Sequence, residues 1–197
     1  MIFLSRKITA RLLFMKLMKN MREIGRNLKG RNMSEPTRLE RLLFRLEAQH
    51  RSLGWAFGEI RGRRGVVFEL GLGHGRTFDH LRRHLPEREI FVFDREIDCF
   101  PDCTPDADHL MLGKFSATLP AAQQRFAGKV ILVNSDVGTY DEAYNVEIAE
   151  LVSRNLPGLL SPGAIVLSDL PLTLPSARQV PLPETVRSER YFIYRSA

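Results

Sequence analysis

The sequence predicts an α/β domain built on a mostly parallel, seven-stranded sheet with helices on both faces and an antiparallel last strand. Three observations carry this expectation. First, short runs that are apolar at consecutive positions, 66–70, 90–94, 109–112, 130–134 and 164–168, alternate with helical patterns, and strands apolar on both sides belong to parallel sheets covered on both faces. Second, the helices expected between them, 76–84, 119–126 and 140–155, have Gly128, Gly158 and Gly163 near their ends or in the turns that follow. Third, Pro171, Pro175, Pro181 and Pro183 forbid a long helix in the last part of the chain. They leave a Pro-rich loop and two closing strands, 178–182 and 191–194, paired antiparallel.

At 197 residues the chain suits one domain, and 44% hydrophobic with 26% charged residues is a globular mixture. The net charge of +6 suggests nucleic acid until its location is considered. Residues 1–32 hold nine Lys or Arg and one acid, Glu23, so that segment alone carries +8 and residues 33–197 carry −2. The body of the chain therefore has no global attraction for phosphate backbones. Two domains of unequal weight result: a basic amphipathic segment over 1–32 and the α/β domain over 33–197. Three readings of the segment stay open: a helix on an anionic surface, a helix packed on a sister subunit, or sequence upstream of a true start at Met33.

Cys99 and Cys103 are the only cysteines. One C-x3-C pair lacks the second ligand pair of a structural zinc site, and two cysteines make no disulfide scaffold, which fits a reducing cytoplasm. No apolar run reaches the ~18–20 residues needed to span a bilayer. Ser34 is placed to cap a helix with Pro36 in its first turn, and Leu39, Leu42, Leu43 and Leu46 recur at i, i+3, i+4, i+7 as the face that should pack.

The chemistry concentrates at Val66-Val-Phe-Glu-Leu-Gly-Leu-Gly-His-Gly-Arg-Thr. A buried strand ends in an acid, Glu69, and three alternate glycines, Gly71, Gly73 and Gly75, lead to a helix starting near Arg76. Glycine permits positive φ and close approach of backbone to ligand, and a helix start offers unpaired N–H groups. A dinucleotide fingerprint requires glycine where Arg76 stands, so hydride transfer is disfavoured. The next strand, Ile90-Phe-Val-Phe-Asp, ends in Asp94, a carboxylate able to accept both hydroxyls of a ribose.

This pattern resembles class I S-adenosylmethionine methyltransferases over about residues 64–195. A closer resemblance, to a small bacterial group of that class, rests on Glu69-Leu-Gly-Leu-Gly-His-Gly-Arg-Thr-Phe-Asp-His-Leu81 and Arg190-Tyr-Phe-Ile-Tyr-Arg195. Leu159-Leu-Ser-Pro-Gly-Ala-Ile-Val-Leu-Ser-Asp169 looks like the family's Pro-Gly turn and fifth strand. The resemblance implies a Rossmann-like methyltransferase fold and S-adenosylmethionine as cofactor. It places Glu69 near the methionine ammonium, Gly71, Gly73, Gly75 and Arg76 along the cofactor, and Asp94 on the ribose. Arg95 falls on the adenine side, and Ser135 or Asp136 at the methionine end. Where the family often has an acid for the adenine amino group this chain has Gly113-Lys-Phe-Ser, so Phe115, Ser116 or backbone groups take that place.

Methyl transfer is chiefly a matter of positioning, and a base is needed only when the acceptor must lose a proton. Asp136 is the candidate base, with holding the methionine or capping a helix as its other readings. The Asn-Pro-Pro-Tyr motif for amino groups on bases is replaced by Asn134-Ser-Asp-Val, which points away from nucleic acid. A magnesium site after the catechol-methyltransferase pattern would use Asp136 and Asp169, but its third position is Leu170, which cannot coordinate. His74, His80 and His84 suggest loop capping or solvation before a metal, so none is expected. Tyr140 and Tyr144, one turn apart, suit packing before acceptor lining. The expectation is a cytoplasmic enzyme methylating a small molecule, with the N-terminal helices free to pair in a homo-oligomer. The alternative is a protein that senses S-adenosylmethionine without turning it over.

Overall fold

The computed structural model describes residues 35–184, 186 and 191–197. The basic segment 1–32, the start at Met33 and the Ser34 cap lie outside the described residues. The chain divides into two compact units between Arg41 and Leu42. In the first, the helix α1 (Arg38–Glu59) begins with a reciprocal cap: Thr37 Oγ1 accepts from the Glu40 amide at 3.2 Å, and Glu40 accepts from the Thr37 amide at 2.6 Å. This capping box satisfies two donors that a helix start leaves unpaired.

The second unit contains the sheet. Its strands are β1 (Val66–Leu70), β2 (Ile90–Asp94), β3 (Leu110–Leu112), β4 (Val130–Ser135), β5 (Leu160–Ser168), β6 (Ala177–Val180) and β7 (Phe192–Ser196), and the connecting helices are α2 (Arg76–His84), α3 (Phe115–Phe126) and α4 (Glu142–Asn155). The order across the sheet is β3-β2-β1-β4-β5-β7-β6. β1 to β5 pair in parallel, and β7 pairs antiparallel with both β5 and β6, so β7 alone opposes the rest, as expected. Most boundaries fall within two residues of the sequence reading, and two starts differ by four. α3 begins at Phe115 and carries Pro120 inside it, losing one helical hydrogen bond. β5 begins at Leu160 because a register shift opposite β4 absorbs the Pro162-Gly163 kink.

Side chains alternate across the pleat. Val66, Phe68 and Leu70 enter the core shared with α3 and α4, whereas Val67 enters the core shared with α1 and α2. Helices thus cover both faces, which is why the strand runs are apolar throughout. Phe68, Phe91, Phe93 and Phe126 form an aromatic cluster with ring centroids 4.4–6.4 Å apart.

The inward face of α1 is not the one its leucines predict. Leu39, Leu42, Leu43 and Leu46 remain 75%, 48%, 57% and 46% exposed, while Ala48, Ser52, Leu53, Ala56 and Ile60 are almost fully buried. Small residues at 48, 52 and 56 let the helix backbone approach closely, a stronger constraint than apolar bulk at its first turns. Deleting ring volume from the aromatic cluster should be costly: Phe68→Ala is expected to lose about 3–5 kcal/mol of stability, measurable as a lower urea midpoint.

Candidate functional site

β1 and β4 are neighbours whose following helices leave on opposite faces, and a crevice opens at their carboxyl ends, where ligands gather in open α/β sheets. The cavity there measures about 870 Å3, within the ~300–1,000 Å3 usual for small-molecule sites. Gly71, Gly73, Asp94, Arg95, Phe115, Ser116 and Asp136 line it together with residues of the 137–139 turn and of α4. Seven of the residues singled out from sequence therefore meet in one place.

The three glycines have different physical reasons. A Cβ on Gly71 would sit 2.5 Å from the Asp136 carbonyl oxygen, so this glycine lets the first loop close against the end of β4. A Cβ on Gly75 would sit 2.5 Å from the Cys103 Cβ, so Gly75, at φ 82 and N-capping α2, seats the 99–103 turn. Gly73, at φ 46, has nothing within 4 Å of that position, so its backbone faces open space.

Asp94 fastens this loop. One carboxylate oxygen accepts from the Leu72 and Gly73 amides at 2.7 and 3.2 Å, and the other from the Arg95 and Glu96 amides at 2.6 and 3.4 Å. Arg95 is exposed on the cavity wall beside Glu96. Gly113 continues the wall, its amide donating to the Asp94 carbonyl, and leads into Phe115 and Ser116 at the start of α3.

Four predicted residues do not line the cavity. Arg76 lies with its guanidinium over the Phe100 ring, and Gly75 is buried in the loop packing. Ser135 is fully buried, and its hydroxyl has no hydrogen-bond partner among the described residues. Glu69 is fully buried on the α1 and α2 face. Thr77 Oγ1 donates to one Glu69 oxygen, Asn134 Nδ2 donates to the other at 2.8 Å, and Tyr191 donates to Asn134 Oδ1 at 3.3 Å. Burial pushes the Glu69 pKa up to about 8 against the lowering pull of Thr77 and Asn134, with the Asp136 charge adding to the rise. Burial likewise raises Tyr191.

At the end of β4 the structure adds partners that the sequence did not reveal. Arg45 Nη1 donates to Asp136 Oδ1 at 2.7 Å and Gln49 Nε2 to Asp136 Oδ2 at 3.0 Å, both from α1. The Asp169 oxygens accept from the Val137 and Gly138 amides at 3.1 and 2.9 Å. Burial, then the neighbouring Asp136 charge, pushes the Asp169 pKa up to about 6, against those two amides and Arg45. Asp141 caps α4 through the Ala143 and Tyr144 amides. Tyr140 precedes that helix and is fully exposed, while Tyr144 lines the cavity. His80 packs against His50, His84 and Phe57, with ring centroids 4.3–5.7 Å apart. Among the described residues no helix is long and apolar enough to cross a membrane.

The sequence model of a family of S-adenosyl-L-methionine methyltransferases matches residues 36–196. Among solved structures, the chain is similar to an S-adenosyl-L-methionine methyl transferase from Silicibacter pomeroyi, with 37% identity and a TM-score of 0.79 over 83% of this chain and 100% of that one. TrmN from Thermus thermophilus shares the fold at 14% identity and a TM-score of 0.51, over 72% of this chain and 48% of that one. MycE, a methyltransferase of the mycinamycin pathway, shares it at 12% identity and 0.51, over 83% and 49%. A search of curated proteins found no match.

The Glu69 pKa carries a stability consequence. Its folded value, about 8, exceeds the ordinary 4.5, so the folded chain holds a proton that the unfolded chain releases between those values. The associated stability is complete below the unfolded pKa and is lost as pH rises through the folded one. Glu69→Gln keeps a neutral side chain that accepts from Asn134 and donates to Thr77. Its melting temperature relative to wild type should therefore rise from about pH 5 to about pH 8. An equal difference at both values would mean that Glu69 ionises in the fold without penalty.

Proposed function

Because the chain belongs to the S-adenosyl-L-methionine methyltransferase family, of class I fold and with S-adenosyl-L-methionine as methyl donor, we propose that its acceptor is a small molecule. The observation that carries this reading is the sign of the cavity wall. Among the described residues, Asp94, Glu96, Asp98, Asp136, Glu147 and Glu150 line it against Arg95, Lys114 and Arg154, and an excess of carboxylates opposes a phosphate backbone.

The cavity suits the donor. Gly73 presents bare backbone, Asp94 holds two of its four amide contacts only loosely, from Gly73 at 3.2 Å and Glu96 at 3.4 Å, so ribose hydroxyls can displace them on its carboxylate, and the half-buried Phe115 offers an aromatic face beside Ser116. The donor supplies a methyl group on a positively charged sulfur, which a nucleophile displaces in line. On this reading Gly71 and Gly75 shape the loop, Arg95, Phe115 and Ser116 border the adenine, and Asp136 marks the methionine end. Both oxygens of Asp136 already accept hydrogen bonds, so we assign it to holding the ammonium group and leave proton removal to the acceptor's own chemistry. Glu69, closed in by Thr77 and Asn134, supports the loop from below. Beyond the 137–139 turn, Tyr144, Ile148 and Leu151 form the half-apolar wall against which an acceptor would rest.

Two measurements test this. Incubation with methyl-labelled donor and a cell extract should place label in the small-molecule fraction, and label in RNA or protein instead would overturn the acceptor class. Asp94→Ala should weaken binding of S-adenosylhomocysteine by about 1–3 kcal/mol in calorimetry. Unchanged affinity in a folded variant would put the ribose elsewhere.

A further inference from the structure

The contact of Arg45 and Gln49 with Asp136 joins α1 to the cavity, and packing alone does not explain it. α1 is anchored by Ala48, Ser52, Leu53, Ala56 and Ile60. Gln49 is only 6% exposed, and a buried amide is unfavourable unless it finds a partner; an apolar residue there would serve helix docking better. Arg45 and Asp136 are 36% and 22% exposed, and ion pairs of that kind add little to stability. What the two donors do is fix direction. They stand one helical turn apart and take one carboxylate oxygen each, which sets the plane of the group.

The backbone beneath Asp136 is already fixed. Its amide donates to the Leu70 carbonyl at 3.0 Å, Gly71 closes against its carbonyl, and Asp169 clamps the next two amides. Side-chain rotation is the freedom that remains, and Arg45 and Gln49 remove it. Arg45 also offsets the repulsion between Asp136 and Asp169, two neighbouring carboxylates.

We propose that Arg45 and Gln49 are positioning residues, which hold the Asp136 carboxylate in the orientation that receives the amino-acid end of the methyl donor. The inference rests on the placement of Asp136 at that end. It makes α1, a helix outside the alternating βα pattern, part of the cofactor site without lining it.

The test compares two ligands that share a nucleoside. S-adenosylhomocysteine carries the amino-acid end, and 5′-methylthioadenosine lacks it. Both are titrated calorimetrically into the full chain, as wild type, Arg45→Met, Arg45→Lys, Gln49→Met and Asp136→Asn. Arg45→Met should weaken S-adenosylhomocysteine about tenfold or more with the affinity for 5′-methylthioadenosine unchanged, and Arg45→Lys should recover part of the loss. Gln49→Met gives the same discrimination if Arg45→Met does not fold. Parallel loss of both ligands, or loss of neither, overturns the positioning role. If Asp136→Asn shifts the ratio of the two affinities and neither α1 variant does, the positioning role alone fails. If Asp136→Asn leaves the ratio unchanged, the placement of Asp136 fails, and the positioning role with it.

Discussion

The carboxyl edge of the sheet is held open by side-chain carboxylates that stand in for missing backbone acceptors. A parallel sheet that splits to admit a ligand leaves the amides of its loops without ladder partners, and buried amides must be satisfied. Asp94 at the end of β2 serves the loop after β1, Asp169 after β5 serves the turn after β4, and Asp141 serves the first turn of α4. In the first two cases the acid of one strand fastens the loop of its neighbour. The crevice is therefore preformed, and its shape depends on charges at the rim.

That arrangement divides the acids of the site by environment. Glu69 lies inside the core, where desolvation favours its neutral form. Asp136 lies at the cavity with a guanidinium and an amide on its oxygens. Two carboxylates adjoining one glycine loop thus differ in what they can offer a cationic ligand: the first holds the scaffold together from below, and the second presents its charge to the cavity.

The sheet was legible because the central parallel strands β1, β2 and β4 are buried on both faces and so are almost wholly apolar, and because Glu69, the glycines and Asp94 sit at or beside the strand ends that such runs define. The same logic failed for α1. Its leucines fit a helical stripe, yet the buried face is built from Ala48, Ser52 and Ala56, whose value lies in being small next to a sheet that the helix sequence does not mention. Arg45 and Gln49 carried no local signal, since their partner is about ninety positions away and charged or amide side chains on a helix usually face water. The family pattern set Glu69 beside a ligand. Period-two alternation places it with Val67 on the α1 and α2 face, and only the neighbours Thr77, Asn134 and Tyr191 decide what it meets there.

The position of β7 bears on the order in which the chain can be assembled. β7 follows β6 in the chain but stands inside it in the sheet, between β5 and β6, so β6 has no strand to pair with until β7 has docked. During synthesis the five parallel strands and their helices can form a partial sheet, while β6 waits as an unpaired segment. The sheet is completed only when β7 docks between β5 and β6, and until then β5 presents an open edge of the kind that recruits strands from other molecules.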